Sequence, residues 1–390
     1  MRVLASTTAG AGHMGPLVPF ARACADAGHE VAMAAPASFA AAVAATGLDH
    51  RPFPDVPPDV LGAVFGRLPT LSQHEAEAVV IGEVFGQLDA QAALPALLDL
   101  IGDWEPDVVL RDPAELGSLA AARARGVPHV AVAIGVTRGA EMLWPPLRGP
   151  STELDATVGL PAGTTYEAMA TEPTLTSVPP LLDRAVGPLG ADRRAVHRFR
   201  TVDPVVQGSL PGEWGDPDSP LVYVSFGSVA AATGRYDALY PAVVEALADL
   251  DVRVLLTTGE GLDPVELGPL PANTWVERWW PQRDVMPHAA VVVGHGGFGT
   301  MMTALVAGVP QVVVPLFSFD QHMNAQHVAA VGAGVSLGGH DRVAELPAAI
   351  AALLADPSYR RAARTVADEV VDLAPAADAV GLLEAMTTDA

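Results

Sequence analysis

Two residues in the amino-terminal half of the sequence, His13 and Asp112, have the types and positions of a general base and its carboxylate partner. His13 lies in the Gly-rich segment Gly10–Gly15, after the apolar run R-V-L-A-S-T, and Asp112 follows the apolar run Asp107–Leu110. Parallel strands end at one edge of a sheet, where ligands of α/β proteins bind, so we expect both residues at that edge. A helix N-terminus keeps an imidazole neutral, and a carboxylate behind the ring fixes the tautomer that accepts a proton. Taken singly, each residue also fits a structural role, as a loop histidine or a helix cap.

A second group of residues, between Arg278 and Gln326, suits a diphosphate that carries a base and a sugar. The segment H-G-G-F-G-T, which begins at His295, combines glycines that admit close approach with amides that open a helix, and such amides bind anions. Trp279 and Trp280 offer flat faces on which a base can stack, although Trp280 fits a packing role equally well. Asp320 and Gln321, in the next loop, supply acceptors and donors for sugar hydroxyls.

The first Gly-rich segment also matches the dinucleotide-binding pattern G-x-G-x-x-G between a strand and a helix. That pattern needs an acidic residue at the end of the second strand to hold the adenosine ribose. Here the second strand ends A-M-A-A-P, and Glu30 stands at its beginning instead. The sequence therefore argues against a nicotinamide or flavin dinucleotide.

The elements that must position these residues are parallel sheets covered by helices. Short apolar runs alternate with longer Ala-rich stretches of helical spacing along nearly the whole chain, which predicts βαβ units. Pro16 and Gly28 have the types that begin and end a helix, here from about Pro16 to Ala27. The order strand, turn, helix, G-V-P, strand occurs twice, as in two similarly built domains. The tripeptide G-V-P can also recur simply because a helix ends and a strand begins there.

Two domains are also expected from the length of 390 residues. We predict an N-terminal domain over residues 1–203, a linker over the Pro-, Gly- and Asp-rich residues 204–220, and a C-terminal domain over residues 221–374. A final helix within residues 375–390 is predicted to pack back on the N-terminal domain. The mixed, Pro-rich pattern of residues 54–100 predicts a mobile insertion that faces the substrate rather than the core.

Composition excludes several classes of function. The net charge is −23, and all 22 basic residues are Arg, so a nucleic acid or an anionic membrane surface is an unfavourable partner. The absence of Lys rules out Schiff-base chemistry and the Walker-A phosphate grip. The single cysteine, Cys24, forms no internal disulfide, and no Cys/His spacing typical of a metal site occurs. No signal peptide and no run of 18 apolar residues are present, so we predict a cytoplasmic protein without membrane insertion.

The motifs W-x-P-Q, H-G-G-x-G-T, G-V-P and D-Q-x-x-N-A occur here in a characteristic order and spacing. Together with G-H-x-x-P at Gly12–Pro16, they resemble the inverting glycosyltransferases of the GT-B fold. The resemblance is strongest to the actinobacterial enzymes that glycosylate macrolides, polyketides and other natural products, and more distant to the plant secondary-metabolite transferases. It implies an α/β protein with two Rossmann-like, doubly wound domains that face each other across a cleft. The N-terminal domain would bind the acceptor and the C-terminal domain the nucleotide sugar.

The resemblance also implies residue roles. His13 would deprotonate the acceptor, and Asp112 would orient it. The donor, a dTDP- or UDP-sugar, would contact the following residues: Ser228, Trp279, Trp280, Gln282, His295, Gly296, Gly297, Phe298, Gly299, Thr300, Asp320 and Gln321. Many relatives have Glu three residues after the Ser/Thr of the Gly-rich motif, whereas this sequence has Thr303, which leaves the ribose contacts and the base preference open.

The expected reaction is a single displacement at the anomeric carbon, with inversion and without a metal or cofactor. An apolar, natural-product acceptor is suggested by the residues Phe53, Phe65, Phe85, Met142 and Trp144, for which a core role is equally compatible. Nucleotide-sugar epimerisation and a catalytically silent partner protein are the alternatives. The identities of the sugar and acceptor, the type of glycosidic bond and any homodimer are not determined by the sequence.

Overall fold

The computed structural model describes residues 1–186, 195–203, 207–227, 230–231, 236 and 238–388, without the side chains of residues 138 and 140–143. The chain divides into two compact units. Unit 1 comprises Met1–Val178, Leu189–Thr201 and Leu373–Ala390, and unit 2 comprises Pro179–Pro188 and Val202–Asp372. The carboxyl-terminal helix thus groups with the amino-terminal residues, and residues 179–188 group with unit 2 although they precede the predicted linker.

Each unit contains one parallel sheet. The sheet of unit 1 has the strand order β3-β2-β1-β4-β5-β6-β7, and that of unit 2 the order β10-β9-β8-β11-β12-β13. The strands are β1 Arg2–Ser6, β2 Glu30–Pro36, β3 Asp49–Phe53, β4 Val108–Arg111, β5 His129–Val132, β6 Thr174–Thr176, β7 Val196–Arg198, β8 Leu221–Ser225, β9 Arg253–Thr257, β10 Thr274–Glu277, β11 Ala289–Gly294, β12 Gln311–Val313 and β13 Gly334–Ser336. The order reverses direction at β1 and β4 and again at β8 and β11, so both sheets are doubly wound, as the alternating pattern predicts.

Helices connect the strands in both units. They are α1 Ala11–Asp26, α2 Ala40–Thr46, α3 Pro58–Phe65, α4 Gln73–Val79, α5 Ala90–Trp104, α6 Leu116–Arg125, α7 Thr137–Val158, α8 Thr164–Met169, α9 Pro180–Asp183, α10 Leu239–Leu247, α11 Gln282–Val285, α12 Phe298–Val306, α13 Phe319–Ala330, α14 Leu346–Ala355, α15 Pro357–Val371 and α16 Ala379–Thr388. A π-helical segment, Val80–Asp89, joins α4 to α5. Short 3₁₀ turns occur at Ala37–Phe39, Leu68–Thr70, Pro264–Leu267, Met286–His288, His340–Glu345 and Ala376–Asp378.

The interiors of the central strands of unit 1, β1 and β4, are apolar because both faces of the sheet are covered. Val3 and Ala5 of β1 point into a cluster with α1 and α16, whereas Leu4 points to the opposite face, against α5 and α6. The sheet of unit 2 is covered in the same manner, with Val222 and Tyr223 of β8 in different core clusters. Burial on both faces fixes the register of these strands, and with it the position of each strand end.

Helix α1 begins at Ala11, five residues before the predicted start at Pro16. Gly10 has a φ of 136°, which turns the chain into the helix, and its carbonyl accepts hydrogen bonds from the amides of His13 (3.1 Å) and Met14 (3.0 Å). Pro16 therefore lies inside α1 rather than at its first turn. As a result His13 belongs to the first helical turn and not to a loop that precedes it.

Residues 54–100 are more regular than predicted, since they form α3, α4, the π-helical segment and most of α5. The apolar residues Ala90, Ala93, Leu94 and Leu97 of α5 are buried in the core of unit 1 at the spacing of one helix face. The expectation that this region lies outside the core is wrong for α5. Its pattern was obscured by Pro95, which lies inside the helix.

The helical run Gln73–Trp104 has the length and mean hydropathy, 1.2, of a helix that could cross a membrane. In its most apolar window, 39% of the residues are buried inside the structure. Length and composition alone are weak evidence for a membrane span, because the core helices of soluble proteins meet the same criteria.

Candidate active site

At the carboxyl edge of the unit 1 sheet, His13 and Asp112 form a hydrogen-bonded pair. Nδ1 of His13 lies 2.9 Å from Oδ2 of Asp112, although the two residues are 99 positions apart. Strands β1 and β4 are adjacent and parallel, so the segments that follow them, with His13 and Asp112, lie side by side. The prediction that these two residues meet at one sheet edge is confirmed. The His13 side chain is 21% exposed and that of Asp112 is fully buried.

The surroundings of Asp112 favour its ionised form. Burial raises the pKa of the carboxyl, but His13, the amide of Ala114 and the charge of Arg111 together outweigh it, and the pKa lies below its usual range. The amide of Ala114 donates to Oδ1 (2.9 Å), and the amide of Thr8 donates to Oδ2 at 3.4 Å. An ionised carboxylate accepts only, so it selects the His13 tautomer with its proton on Nδ1. In that tautomer Nε2 of His13 is the ring nitrogen whose lone pair can accept a proton.

One of the predicted acceptor-binding aromatic residues, Phe85, contacts the His13 ring. The two ring centroids are 5.2 Å apart, with the planes inclined by 57°. Phe85 belongs to the π-helical segment, which brings an apolar face beside the imidazole. The structure therefore places an aromatic surface at the candidate base.

The other aromatic candidates differ in their environment. Phe53 is only 4% exposed and packs in the core of unit 1, which argues against contact with an acceptor. Phe65 is 47% exposed, and Trp144 packs at the margin of the same core. Met142 lies outside the described side chains.

In unit 2, His295 follows β11 and is enclosed by glycines. A Cβ atom on Gly227 would lie 2.8 Å from Cε1 of His295, and one on Gly297 would lie 2.3 Å from Nε2. Neither glycine can carry a side chain without displacing the ring. Gly297 of the motif H-G-G-F-G-T thus makes room for the imidazole. Ser228, the residue after Gly227, lies outside the described residues.

His295 is neutral at physiological pH. Burial lowers its pKa from 6.5 to about 4, and the charge of Asp320 opposes this shift only in part. Its Nδ1 atom is enclosed and makes no hydrogen bond within the described part of the chain. A neutral imidazole carries one N–H group, so His295 can donate a hydrogen bond but contributes no positive charge.

The amino terminus of α12 lies immediately after this histidine. Gly297 precedes the helix in an extended conformation and, as a glycine in the N-cap position, has no side chain to cap the first turn. The first amides of a helix have no partners within it, which leaves those of Phe298, Gly299 and Thr300 available to an anion. The turn between His295 and α12 is stabilised by Asn324, whose Nδ2 donates to the carbonyl of Gly296 at 2.7 Å.

The side chain of Gln282 is hydrogen-bonded to the first turn of α12. Its Nε2 donates to Oγ1 of Thr300 at 3.0 Å and approaches Oγ of Ser225 at 3.4 Å. Thr303, in place of the glutamate of many relatives, donates its hydroxyl to the carbonyl of Gly299 at 2.7 Å. The Thr303 hydroxyl therefore forms a hydrogen bond within α12.

The two tryptophans have different surroundings. Trp279 is 69% exposed, the largest exposed aromatic face near β10. Trp280 packs against an apolar cluster of unit 2, and its Nε1 donates to the carbonyl of Ser209 at 2.9 Å. The structure therefore favours the packing alternative for Trp280 and leaves Trp279 accessible for stacking.

Asp320 and Gln321, in the first turn of α13, also differ. Asp320 is exposed and accepts a short hydrogen bond from the hydroxyl of Ser318. Gln321 is 3% exposed, and its Oε1 accepts from the amides of Leu316 (2.8 Å) and Phe317 (3.2 Å). Gln321 thus holds the loop before α13, a role that its place in the motif does not reveal.

Sequence reasoning overlooked three residues at these sites. Asn324 stands in the motif D-Q-x-x-N-A, so its position could have been singled out. Thr8 follows β1 directly, where a polar residue after an apolar strand is a usable signal. Asp89, whose Oδ2 accepts from the Thr8 hydroxyl at 2.6 Å, lies in a region without recognisable motifs and could not have been found.

A cavity of about 850 Å³ in unit 1 is lined by residues that include Arg123, His129 and Glu172. Nδ1 of His129 lies 2.9 Å from Oε2 of Glu172, which also pairs with buried Arg111. Strand β5 begins at His129, so this cavity lies at the amino edge of the sheet, opposite to His13. None of the predicted site residues lines it.

Comparison with known proteins identifies the family. Residues 22–157 and 241–386 match the models for the N-terminal and C-terminal domains described as erythromycin biosynthesis protein CIII-like. The 4'-demethylrebeccamycin synthase of Lentzea aerocolonigenes is 31% identical over 99% of both chains. This chain belongs to the antibiotic-biosynthesis glycosyltransferases. The L-demethylnoviosyl transferase of Streptomyces niveus is 32% identical over 95% of this chain and 94% of its own.

The structural comparison agrees with this family. The crystal structure of the glycosyltransferase VinC in complex with dTDP aligns with a TM-score of 0.77 and 25% identity, over 100% of both chains. The parallel sheets of this glycosyltransferase are those of the GT-B fold, and the predicted fold, family and enzyme class are confirmed. The roles of the individual residues remain predictions.

Proposed function

We propose that this glycosyltransferase transfers a deoxysugar from a dTDP- or UDP-sugar to a small apolar natural product, with inversion at the anomeric carbon and without a metal. The observation that carries the proposal is the contact of 2.9 Å between Nδ1 of His13 and a fully buried Asp112 carboxylate. This pair has the geometry of a base whose tautomer is fixed by its partner.

In the proposed reaction, Nε2 of His13 accepts the proton of an acceptor hydroxyl as that oxygen attacks the anomeric carbon. The new glycosidic bond forms while the bond to the phosphate oxygen breaks, and the nucleoside diphosphate leaves with the bonding electrons. The ionised Asp112 stabilises the imidazolium that results. General-base assistance of this kind contributes about 10²- to 10⁴-fold to the rate.

The leaving diphosphate is proposed to bind at the amino terminus of α12. The helix end provides roughly half a positive charge together with directed amides. Because the pKa of His295 is about 4, that residue adds a neutral hydrogen-bond donor and not a cation. Trp279 would stack on the base, and Asp320 would contact hydroxyls of the sugar.

The names of relatives support the substrate class. VinC was crystallised with dTDP, which supports a dTDP-linked donor for this chain. The L-demethylnoviosyl transferase of Streptomyces niveus is named for the sugar that it transfers, and the 4'-demethylrebeccamycin synthase of Lentzea aerocolonigenes for its product. Phe85 beside His13 provides an aromatic surface that suits an apolar acceptor.

The test separates catalysis from donor binding. Candidate acceptors and a panel of nucleotide sugars are first screened by mass spectrometry to find a productive pair. For His13→Ala we then expect transfer to fall at least about 100-fold while the dissociation constant of dTDP, measured by calorimetry, is unchanged. His74→Ala, at an exposed histidine on α4, is the matched control. Transfer at the wild-type rate in His13→Ala would show that the base lies elsewhere.

A further inference from the structure

A second carboxylate, Asp89, is connected to the His13–Asp112 pair through one threonine. The hydroxyl of Thr8 donates to Oδ2 of Asp89 at 2.6 Å, and the amide of the same residue donates to Oδ2 of Asp112 at 3.4 Å. Thr8 is 1% exposed and follows β1 directly. One buried residue thus bonds two carboxylates, of which Asp112 holds the imidazole of His13.

The position of Asp89 depends on the π-helical segment. π-Helices are rare, and they are frequently found at functional sites. Here the segment spans the ten residues Val80–Asp89 and ends at Asp89. Phe85, four residues earlier, contacts the His13 ring at 5.2 Å. Two side chains of the same segment are therefore linked to His13. Phe85 contacts its ring directly, and Asp89 is connected to it through Thr8 and Asp112.

Asp89 is also coupled electrostatically to this site. The charged groups that act on it are His13 on α1, Asp112 after β4 and Glu115 at the start of α6. The pKa of Asp89 is raised above its ordinary value, mainly by burial and further by the charges of Glu115 and Asp112, while the Thr8 hydrogen bond and His13 lower it in part. Such coupling is reciprocal, so Asp89 in its ionised form favours the protonated form of His13.

We propose that Asp89 is a positioning residue of the sugar-transfer reaction, which holds Thr8 against Asp112 and increases the basicity of His13. The inference rests on the proposed function of His13 as the base. Asp89 itself touches neither substrate in this role. Its carboxylate acts on the reaction only through Thr8 and through its charge.

The first test follows the titration of His13 and needs no substrate. Histidine labelled with ¹³C at Cε1 gives one NMR signal for each of the 11 histidines, and His13→Gln identifies that of His13. In Asp89→Asn the amide oxygen still accepts from Thr8, but the charge is lost. We expect the titration midpoint of His13 to fall by about half a pH unit. Asp99→Asn, at an exposed residue of α5, should leave the midpoint unchanged. An unchanged midpoint in Asp89→Asn overturns the proposal.

The second test addresses the hydrogen bond. Thr8→Val removes the hydroxyl with little change in volume, and Thr8→Ser keeps it. With the substrate pair found by screening, we expect kcat to fall about tenfold in Thr8→Val, and the dissociation constant of dTDP to stay unchanged. Thr8→Ser should remain within about twofold of the wild type. Equal losses in both variants, or a loss confined to KM, would contradict a positioning role.

The two tests also separate this inference from the proposed function. If transfer persists in His13→Ala, the proposed function fails, whatever the NMR titration shows. If His13→Ala is inactive but the midpoint of His13 is the same in Asp89→Asn and the wild type, only the role of Asp89 fails.

Discussion

The Asp112→Asn variant provides the most direct test of the base at the carboxyl edge of unit 1. The wild-type carboxylate accepts from Nδ1 of His13 at one oxygen and from the amide of Ala114 at the other. An asparagine offers one acceptor and one NH₂ group, so it cannot accept both hydrogen bonds. If its oxygen faces Ala114, its NH₂ group donates to Nδ1 of His13, and the imidazole proton moves to Nε2. The nitrogen that should accept the acceptor's proton is then occupied.

The expected loss follows from the burial of this pair. A hydrogen bond to a charged group contributes about 1.5–3 kcal/mol. The asparagine also fails to stabilise the imidazolium in a fully buried position, so we expect about 2–4 kcal/mol to be added to the barrier. At about 1.4 kcal/mol for each factor of ten, kcat should fall about 30- to 1000-fold.

The assay is the transfer rate with the screened substrate pair, compared with the affinity for dTDP. Asp107→Asn is the matched control, because that exposed carboxylate precedes the same strand, β4, and its hydrogen bond from the Arg2 amide can also be accepted by an asparagine. A kcat within threefold of the wild type in folded Asp112→Asn would refute the role given to the pair.

The same variant has a pH signature in stability. The pKa of Asp112 is lower in the folded protein than in the unfolded chain, where it is about 3.9. Its contribution to the free energy of unfolding is therefore present above about pH 4 and is lost as the pH falls through the lower, folded value. We expect the difference in stability between the wild type and Asp112→Asn to be largest near neutral pH and to shrink in acid.

The remaining predictions concern unit 2. Gly297→Ala, whose Cβ atom would lie 2.3 Å from Nε2 of His295, should weaken dTDP binding more than about tenfold by calorimetry. The control Gly381→Ala, on α16, meets no atom within 4 Å and should bind dTDP normally. The pKa of His295 is about 4 in the folded protein and 6.5 in the unfolded chain, so the free energy of unfolding should decrease by up to about 3 kcal/mol as the pH falls from 6.5 to 4. In His295→Gln, the free energy of unfolding measured in urea should depend less on pH over this range. Trp279→Ala should weaken dTDP binding without lowering Tm, because Trp279 is exposed. Trp280→Ala should lower the free energy of unfolding by about 2 kcal/mol, because Trp280 packs against an apolar cluster. A loss of stability in Trp279→Ala, with a loss of dTDP binding alone in Trp280→Ala, would contradict these assignments.

Much of the fold could be predicted because it depends on local patterns. Apolar runs of strand length alternate with helical spacing, and each polar loop that follows a strand must lie at the carboxyl edge of a parallel sheet. That reasoning placed His13 beside Asp112 without knowledge of the packing. It failed for the start of α1, because a Gly-rich segment that reads as a loop continues as helix when Gly10 turns the chain at positive φ.

The details of the candidate site were decided by tertiary structure. The sequence alone determined which residues follow which strands, because the repeat of apolar and polar residues that marks a strand or a helix is a local property. It could not determine that the π-helical segment brings Phe85 and Asp89 to His13, because those contacts join residues more than 70 positions apart. Nor could it show that Gln321 is occupied by backbone amides while Asp320 stays exposed, or that burial keeps His295 neutral. Desolvation and long-range hydrogen bonds exist only once the chain has packed.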